Sequence, residues 1–346
     1  LSRFTVLISS WLEPEHVRTI AQVDPRVDVV YEPDLLRKPR YPADHGGFPT
    51  RRSPEDEARW RRLLAEADIL FDFDYTNDWE LPELAPRVRW VHSSSAGIGQ
   101  FVARRHYHER WKGTIFTTAS GVHAVPLAEF CAMAMLGFSR GLFRMNALRS
   151  RKHWERFAGT DLVGRTLVIY GHGAIGREVG RLALGFGMHV IGVKRTATDD
   201  PPALHNANEL HPASEFRSLL PRAEYLVLAA PHTRETERVL EHKEFKLLPR
   251  GAFVVNIGRG ALVDETAMIH ALRDGDLGGA ALDVFATEPL PEDSPLWTMP
   301  NVLVSPHSAS TSDRENGRLT ELFCDNLSRF LKGEPMRNVL DVDRLY

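Results

Sequence analysis

Three polar residues stand just past the ends of three apolar runs in the second half of this 346-residue chain. Arg259 follows Val-Val-Asn-Ile at 254–257, Glu288 follows Ala-Leu-Asp-Val-Phe at 281–285, and His307 follows Val-Leu-Val-Ser at 302–305. Each run reads as a buried strand. In an open α/β sheet the C-terminal edge of the strands is where ligands sit. Reduction of a carbonyl requires this set of side chains. A cation orients a substrate carboxylate and polarises the carbonyl, and an acid protonates the new alkoxide. Histidine suits the acid because it titrates near neutrality, and a carboxylate at its other ring nitrogen fixes the tautomer. Taken singly, an arginine after a strand reads as a surface residue and a histidine between proline and serine as a turn. Together on one sheet edge, Arg259, Glu288 and His307 read as a catalytic set.

Residues 171–176 read Gly-His-Gly-Ala-Ile-Gly, directly after the apolar run 166–170 and at the start of a helical pattern. In that context the G-x-G-x-x-G spacing marks a dinucleotide site. Gly171 permits the tight turn, Gly173 lets a pyrophosphate approach the backbone, and Gly176 lets the helix pack on the strand. The helix start, with Ala174 and Ile175, offers amide N–H groups and a positive dipole end to the phosphates. Where the next strand ends, an acidic residue usually holds the adenosine ribose. Here the sequence reads Lys194, Arg195, Thr196. A 2′-phosphate suits that cationic pair, so NADP(H) is the expected cofactor, with NAD(H) also possible. The other reading of the pair is a solvated loop.

Positioning these residues requires two blocks of alternating strands and helices. In the first, strands are expected at 4–8, 27–31, 69–73, 88–92 and 114–118, with helices at 13–23 and 55–67. Residues 32–54, rich in Pro, Arg and Gly, read as an exposed loop whose basic residues form a solvated face. In the second, strands are expected at 166–170, 188–193, 225–230, 253–257, 279–284 and 302–305, with a helix at 177–186. An apolar helix at 126–143 should be buried, and it points to a subunit contact and a homodimer. The basic segment 140–156 reads as its continuation. An amphipathic helix at 313–331 follows the last strand. Such alternation means α/β architecture, two doubly wound parallel sheets.

Composition agrees with an ordinary globular protein. The chain is 43% hydrophobic and 26% charged, with net charge −3, which gives no nucleic-acid-binding surface. No run approaches the roughly 18 apolar residues of a membrane helix, so no membrane partner is expected. The opening run reads as a strand rather than a signal peptide. Cys131 and Cys324 lie in apolar stretches and read as buried thiols of a reducing, cytoplasmic compartment. No metal site is expected.

The glycine motif, Asn-Ile-Gly-Arg-Gly-Ala-Leu-Val-Asp at 256–264, Ala-Leu-Asp-Val-Phe-Ala-Thr-Glu-Pro at 281–289 and Asn-Val-Leu-Val-Ser-Pro-His at 301–307 resemble the D-isomer-specific 2-hydroxyacid dehydrogenases. The resemblance covers nearly the whole chain. It implies Arg259 as the residue that binds carboxylate and carbonyl, His307 as acid/base and Glu288 as its partner. It places Asp283 against the nicotinamide carboxamide, with Ile257, Gly258, Ala230, Pro231 and Thr236 on the cofactor side. The turn Ser95, Ala96, Gly97, Ile98 would receive the substrate carboxylate through its amides. Apart from the resemblance, Tyr75 and Asn77 follow the 69–73 strand, a place from which they could reach the substrate side chain. The substrate would be a small 2-oxo acid or D-2-hydroxy acid. The resemblance also implies a Rossmann-type dinucleotide domain, 120–311, inserted into a flavodoxin-like substrate domain, 1–119 with 312–346. Substrate would lie in the cleft between them, dried by closure. Two departures stand out: the basic pair at 194–195 and the long 32–54 stretch. Oxidation of formate or phosphite on the same scaffold, or nucleotide sensing by a regulatory protein, are the competing readings. Formate oxidation needs no proton transfer, and Glu288 argues against it.

Overall fold

Short apolar runs separated by helices fold here into parallel sheets, in which every strand of the interior is covered on both faces. The computed structural model describes residues 3–49, 51–196 and 200–344. The chain divides into two units, Leu1–Val122 with Thr311–Tyr346, and His123–Ser310. The second unit therefore interrupts the first in sequence.

The discontinuous unit contains β1 (Phe4–Ile8), α1 (Pro14–Ala21), β2 (Val27–Val30), α2 (Pro54–Glu66), β3 (Ile69–Phe71), β4 (Trp90–His92) and β5 (Ile115–Thr117). Its strands are parallel in the order β2-β1-β3-β4-β5, the flavodoxin-like order. Helix α2 starts where Ser53 accepts the Asp56 N–H and proline fills the first turn.

The 32–54 stretch corrects the expectation of an exposed loop. Leu35, Leu36, Ala43 and Asp44 are buried, the two leucines in the core that holds Trp60 and Phe73. Its basic residues are a solvated face only in part: Lys38, Arg40 and Arg51 are exposed, Arg37 and Arg52 are not. Arg40 pairs with Asp44. The Arg52 side chain is 6% exposed, pairs with Glu57 and Asp74, and stacks over Trp60 at 4.5 Å. Arginine buries its stem readily, so a basic composition does not by itself mean solvent.

The inserted unit contains α3 (Ala124–Ser139), α4 (Leu142–Ser150), β6 (Thr166–Tyr170), α5 (Ala174–Gly185), β7 (His189–Lys194), β8 (Glu209–Pro212), β9 (Tyr225–Leu228), β10 (Ala252–Asn256), α6 (Glu265–Arg273), β11 (Leu277–Leu282) and β12 (Val302–Val304). The sheet runs β12-β11-β10-β9-β6-β7-β8, all parallel. Counted from β6, this is the dinucleotide-binding order with one further strand, and the strand order reverses between β6 and β9.

Two features of this unit depart from expectation. Strand β8 was not foreseen: Glu-Leu-His-Pro is half-buried along its length and forms the edge of the sheet, where a polar strand ending in proline is tolerated. The helix expected at 126–143 breaks at Gly141, whose φ is +73°, so the basic segment does not continue it. A Cβ at Gly141 would lie 2.5 Å from the Phe157 ring, and α4 leaves α3 at 64°. No single helix among the described residues is long and apolar enough to cross a membrane.

Helix α7 (Glu315–Lys332) belongs to the discontinuous unit, burying Leu319, Leu322, Phe323 and Leu327 with Val6, Ile8 and Trp90. Both cysteines are free; Cys131 is buried, but Cys324 only half-buried.

Candidate active site

The glycine turn lies between β6 and α5. Gly171 has φ +97°, and a Cβ there would stand 2.4 Å from the Ala230 nitrogen. At Gly176 a Cβ would meet the Gly171 carbonyl oxygen at 2.6 Å. Gly173 differs: nothing lies within 4 Å of where its Cβ would be. That space, in front of a helix N-terminus that no side chain caps, fits a pyrophosphate held by backbone N–H groups.

His172, between those glycines, is a residue whose role the sequence left open. It is 2% exposed, and Nε2 lies 2.7 Å from the His205 carbonyl oxygen, so Nε2–H is the donor. Gly192 and Gly180 make room for the ring: a Cβ on either would press on it. Burial pushes the imidazole down to about 4. It ties the phosphate turn to the segment beyond β7. Lys194 is half-buried at the end of β7, and Arg195 and Thr196 are exposed. The Glu235 carboxyl sits below its usual range through the Thr233 hydroxyl first, with Arg234 and Arg195 contributing.

At the end of β10, Asn256 is 2% exposed and organises the turn after it. Its Oδ1 accepts the Gly258 N–H at 3.1 Å and its Nδ2 donates to the Arg259 carbonyl at 3.0 Å. Ile257 is buried, and a Cβ at Gly258 would lie 2.7 Å from the Ala230 carbonyl. The Arg259 guanidinium donates to the Gly258 carbonyl at 2.7 Å. Burial lowers its pKa from the usual arginine value, while the Glu288 charge works against that shift. Gly260 packs on the next strand end, where a Cβ would overlap the Phe285 carbonyl at 1.9 Å.

Residues 283–288 follow β11. Asp283 is 2% exposed, and its Oδ1 accepts from the Ser305 hydroxyl at 2.6 Å, the Ser308 N–H at 2.9 Å and the Ala309 N–H at 3.0 Å. Glu288 accepts the Phe285 N–H at 3.0 Å on Oε1 and presents Oε2 to His307 Nδ1 at 2.7 Å. His307 lies beyond β12 with φ +55°, a left-handed conformation uncommon outside glycine. The structure thus brings Glu288, His307 and the charge of Arg259 to neighbouring strand ends. The loop after β9 is closed by Thr236, which accepts the Thr233 N–H and donates to the Pro231 carbonyl. Ala230 is buried and Pro231 exposed. No group of three or more metal-ligating side chains occurs among the described residues.

In the discontinuous unit, residues 95–98 follow β4 at the C-terminal edge of its sheet. The Ser95 N–H goes to Ser93 Oγ, whereas the Ala96 and Ile98 amides have no protein acceptor among the described residues. Tyr75 donates its hydroxyl to Asp72 Oδ1 at 3.2 Å, and burial pushes its pKa well up. The Asn77 amide is engaged by Glu57 and Asp74.

Residues 132–309 match the family model for the D-isomer specific 2-hydroxyacid dehydrogenase NAD binding domain. A glyoxylate reductase of Korarchaeum cryptofilum is 30% identical over 76% of this chain and 79% of its own length. The chain belongs to the D-isomer specific 2-hydroxyacid dehydrogenase family. A D-3-phosphoglycerate dehydrogenase of Methanocaldococcus jannaschii is 31% identical over 68% of this chain, which spans 44% of that relative's length. An NADPH-dependent glyoxylate/hydroxypyruvate reductase from Sinorhizobium meliloti, solved with NADP and sulfate, superposes with TM-score 0.77. It is 25% identical and covered in full by 99% of this chain. Membership makes the chain an oxidoreductase of the NAD(P)-dependent 2-hydroxyacid class, and two parallel-sheet α/β units are the family's architecture.

Proposed function

We propose that this family member reduces short 2-oxo acids to D-2-hydroxy acids, with NADPH preferred over NADH. The carrying observation is the 2.7 Å pair of His307 Nδ1 and Glu288 Oε2, on the sheet edge that also bears the glycine turn. The bound dinucleotide supplies the hydride. With Glu288 on Nδ1, His307 uses Nε2 to hand a proton to the carbonyl oxygen. Arg259 binds the substrate carboxylate and polarises the carbonyl. The Ala96 and Ile98 amides, which have no protein acceptor among the described residues, suit a carboxylate and support the discontinuous unit as the substrate domain. Asp283 faces the carboxamide with the carboxylate oxygen that the 305–309 turn leaves over. The named neighbours, a glyoxylate reductase and an NADPH-dependent glyoxylate/hydroxypyruvate reductase, support both substrate class and cofactor. Half-exposed Met133, Leu136, Leu142 and Met145 on α3 and α4 support a homodimer through this face.

The test is turnover of NADPH and NADH with glyoxylate, hydroxypyruvate, pyruvate and longer 2-oxo acids, beside formate and phosphite. Cofactor reduction by formate or phosphite without turnover of any 2-oxo acid would overturn the reading. Binding of cofactor with no turnover at all would favour a sensor.

A further inference from the structure

Asp72 follows β3 at the C-terminal edge of the discontinuous unit's sheet and is completely buried. Its φ is +68°, a conformation that L-residues hold only when surroundings enforce it. The carboxylate accepts four hydrogen bonds, all from uncharged donors. Oδ1 takes the Phe73 N–H at 2.9 Å, the Tyr75 hydroxyl at 3.2 Å and the Ser94 N–H at 3.3 Å. Oδ2 takes the Ser94 hydroxyl at 2.7 Å. Its own carbonyl accepts from Ser9 Oγ at 2.6 Å. No cation pairs with it among the described residues. A carboxylate buried without a cation is costly to keep, and general stability would be served as well by an apolar side chain. A buried carboxylate satisfied wholly by neutral donors holds those donors in one arrangement.

What it fixes is Ser94, held through both backbone N–H and hydroxyl. Ser94 directly precedes the turn whose Ala96 and Ile98 amides have no protein acceptor. A peptide chain gripped at residue 94 has the orientation of its next amides set. The grip extends outward too. Arg37, from the long 32–54 stretch, donates to the Tyr75 carbonyl at 3.0 Å and lies 3.3 Å from Thr76 Oγ1. We propose that Asp72 is a positioning residue that aims the 95–98 turn at the substrate carboxylate. This rests on the reading of that turn as the carboxylate site.

The experiment compares wild type, Asp72→Asn, Ser94→Ala and the double variant, measuring kcat and KM for glyoxylate and the NADPH dissociation constant by fluorescence. Loss of a hydrogen bond to a charged group should raise KM roughly tenfold or more, while kcat stays within about threefold and NADPH affinity holds. Both substitutions act on the same Asp72–Ser94 Oγ bond, Asn by exchanging its charged acceptor for a neutral amide and Ala by removing the hydroxyl, so the double variant should be no worse than the worse single. If Asp72→Asn fails to fold, Ser94→Ala decides alone. An unmoved KM, or parallel loss of kcat, KM and thermal stability, or additive losses, overturns the proposal while leaving the reductase reading intact. A wild type that reduces no 2-oxo acid overturns both.

Discussion

His307 and Glu288 meet through Nδ1 and Oε2 at 2.7 Å, which leaves Nε2 as the ring nitrogen turned away from the carboxylate. On the proposed mechanism Nε2 is the proton-transferring atom. His307→Ala should lower kcat by about 10²–10⁴-fold, the scale of lost general acid–base catalysis, with NADPH affinity little changed. Glu288→Gln keeps an acceptor for the Phe285 N–H, so it should fold, yet lose a smaller part of that factor. A His307→Ala enzyme with near-normal kcat would remove the histidine from the mechanism.

Arg259 is charged in a site whose burial works against charge. A lysine amine starts from a lower ordinary value, about 10.4, and cannot make a two-pronged pair with a carboxylate. Arg259→Lys should therefore lose most of kcat/KM for 2-oxo acids, increasingly so at alkaline pH, with cofactor affinity nearly intact. Equal losses in cofactor and substrate binding would assign the arginine a structural role.

Cofactor choice should follow Lys194 and Arg195. The preference for NADPH over NADH in kcat/KM is expected to be tens-fold, roughly, because exposed charges at a rim are discounted by solvent, and it should shrink as salt rises. Arg195→Ala should erase most of it. Glu235, whose carboxyl feels Arg195, competes with a 2′-phosphate, so Glu235→Gln should sharpen the preference. A wild type that favours NADH, or an Arg195→Ala variant with the same ratio, would make the basic pair a solvated loop.

Folded stability should fall on the acid side through His172. Burial lowers its pKa from 6.5 to about 4. As pH drops through 6.5 the unfolded chain binds a proton that the folded chain refuses. The contribution is thus present above the unfolded value and is lost as pH falls toward the folded one, about 3 kcal/mol at most. His92, buried and lowered to about 3, adds a slope of the same sign in the other unit. Urea unfolding of wild type and His172→Gln at about pH 7 and about pH 5 reads the difference. The variant should lose less stability between the two; parallel lines would mean the ring charges without penalty.

The sites that were legible in the sequence are those whose side chains sit one step beyond a continuous apolar run. Buried parallel strands such as Ala252–Asn256, apolar up to its last residue, and Leu277–Leu282, apolar throughout, mark their own ends, so Arg259, Glu288 and His307 could be located. Strand Glu209–Pro212 was missed because an edge strand needs little apolar surface. The break at Gly141 was missed because the apolar pattern continues past it, and only the Phe157 ring, sixteen positions on, makes a Cβ intolerable. Asp72 and Asn256 act by hydrogen bonds to backbone. For Asp72 the partner is Ser94, 22 positions away, a relation that no local spacing encodes. Asn256 had a local signal, an amide side chain ending an otherwise apolar strand two residues before a glycine.

The six residues that follow β11 seize His307 twice, Asp283 by the backbone around it and Glu288 by the ring. His307 therefore takes its coordinates from a strand other than its own. A shift in the 305–309 turn meets two restraints from one origin. Loss of a single residue between 283 and 288 would misregister both restraints at once. That segment is the molecule's datum line: homologous chains should vary freely in the loop leading into β12, yet keep the interval from Asp283 to Glu288 invariant in length.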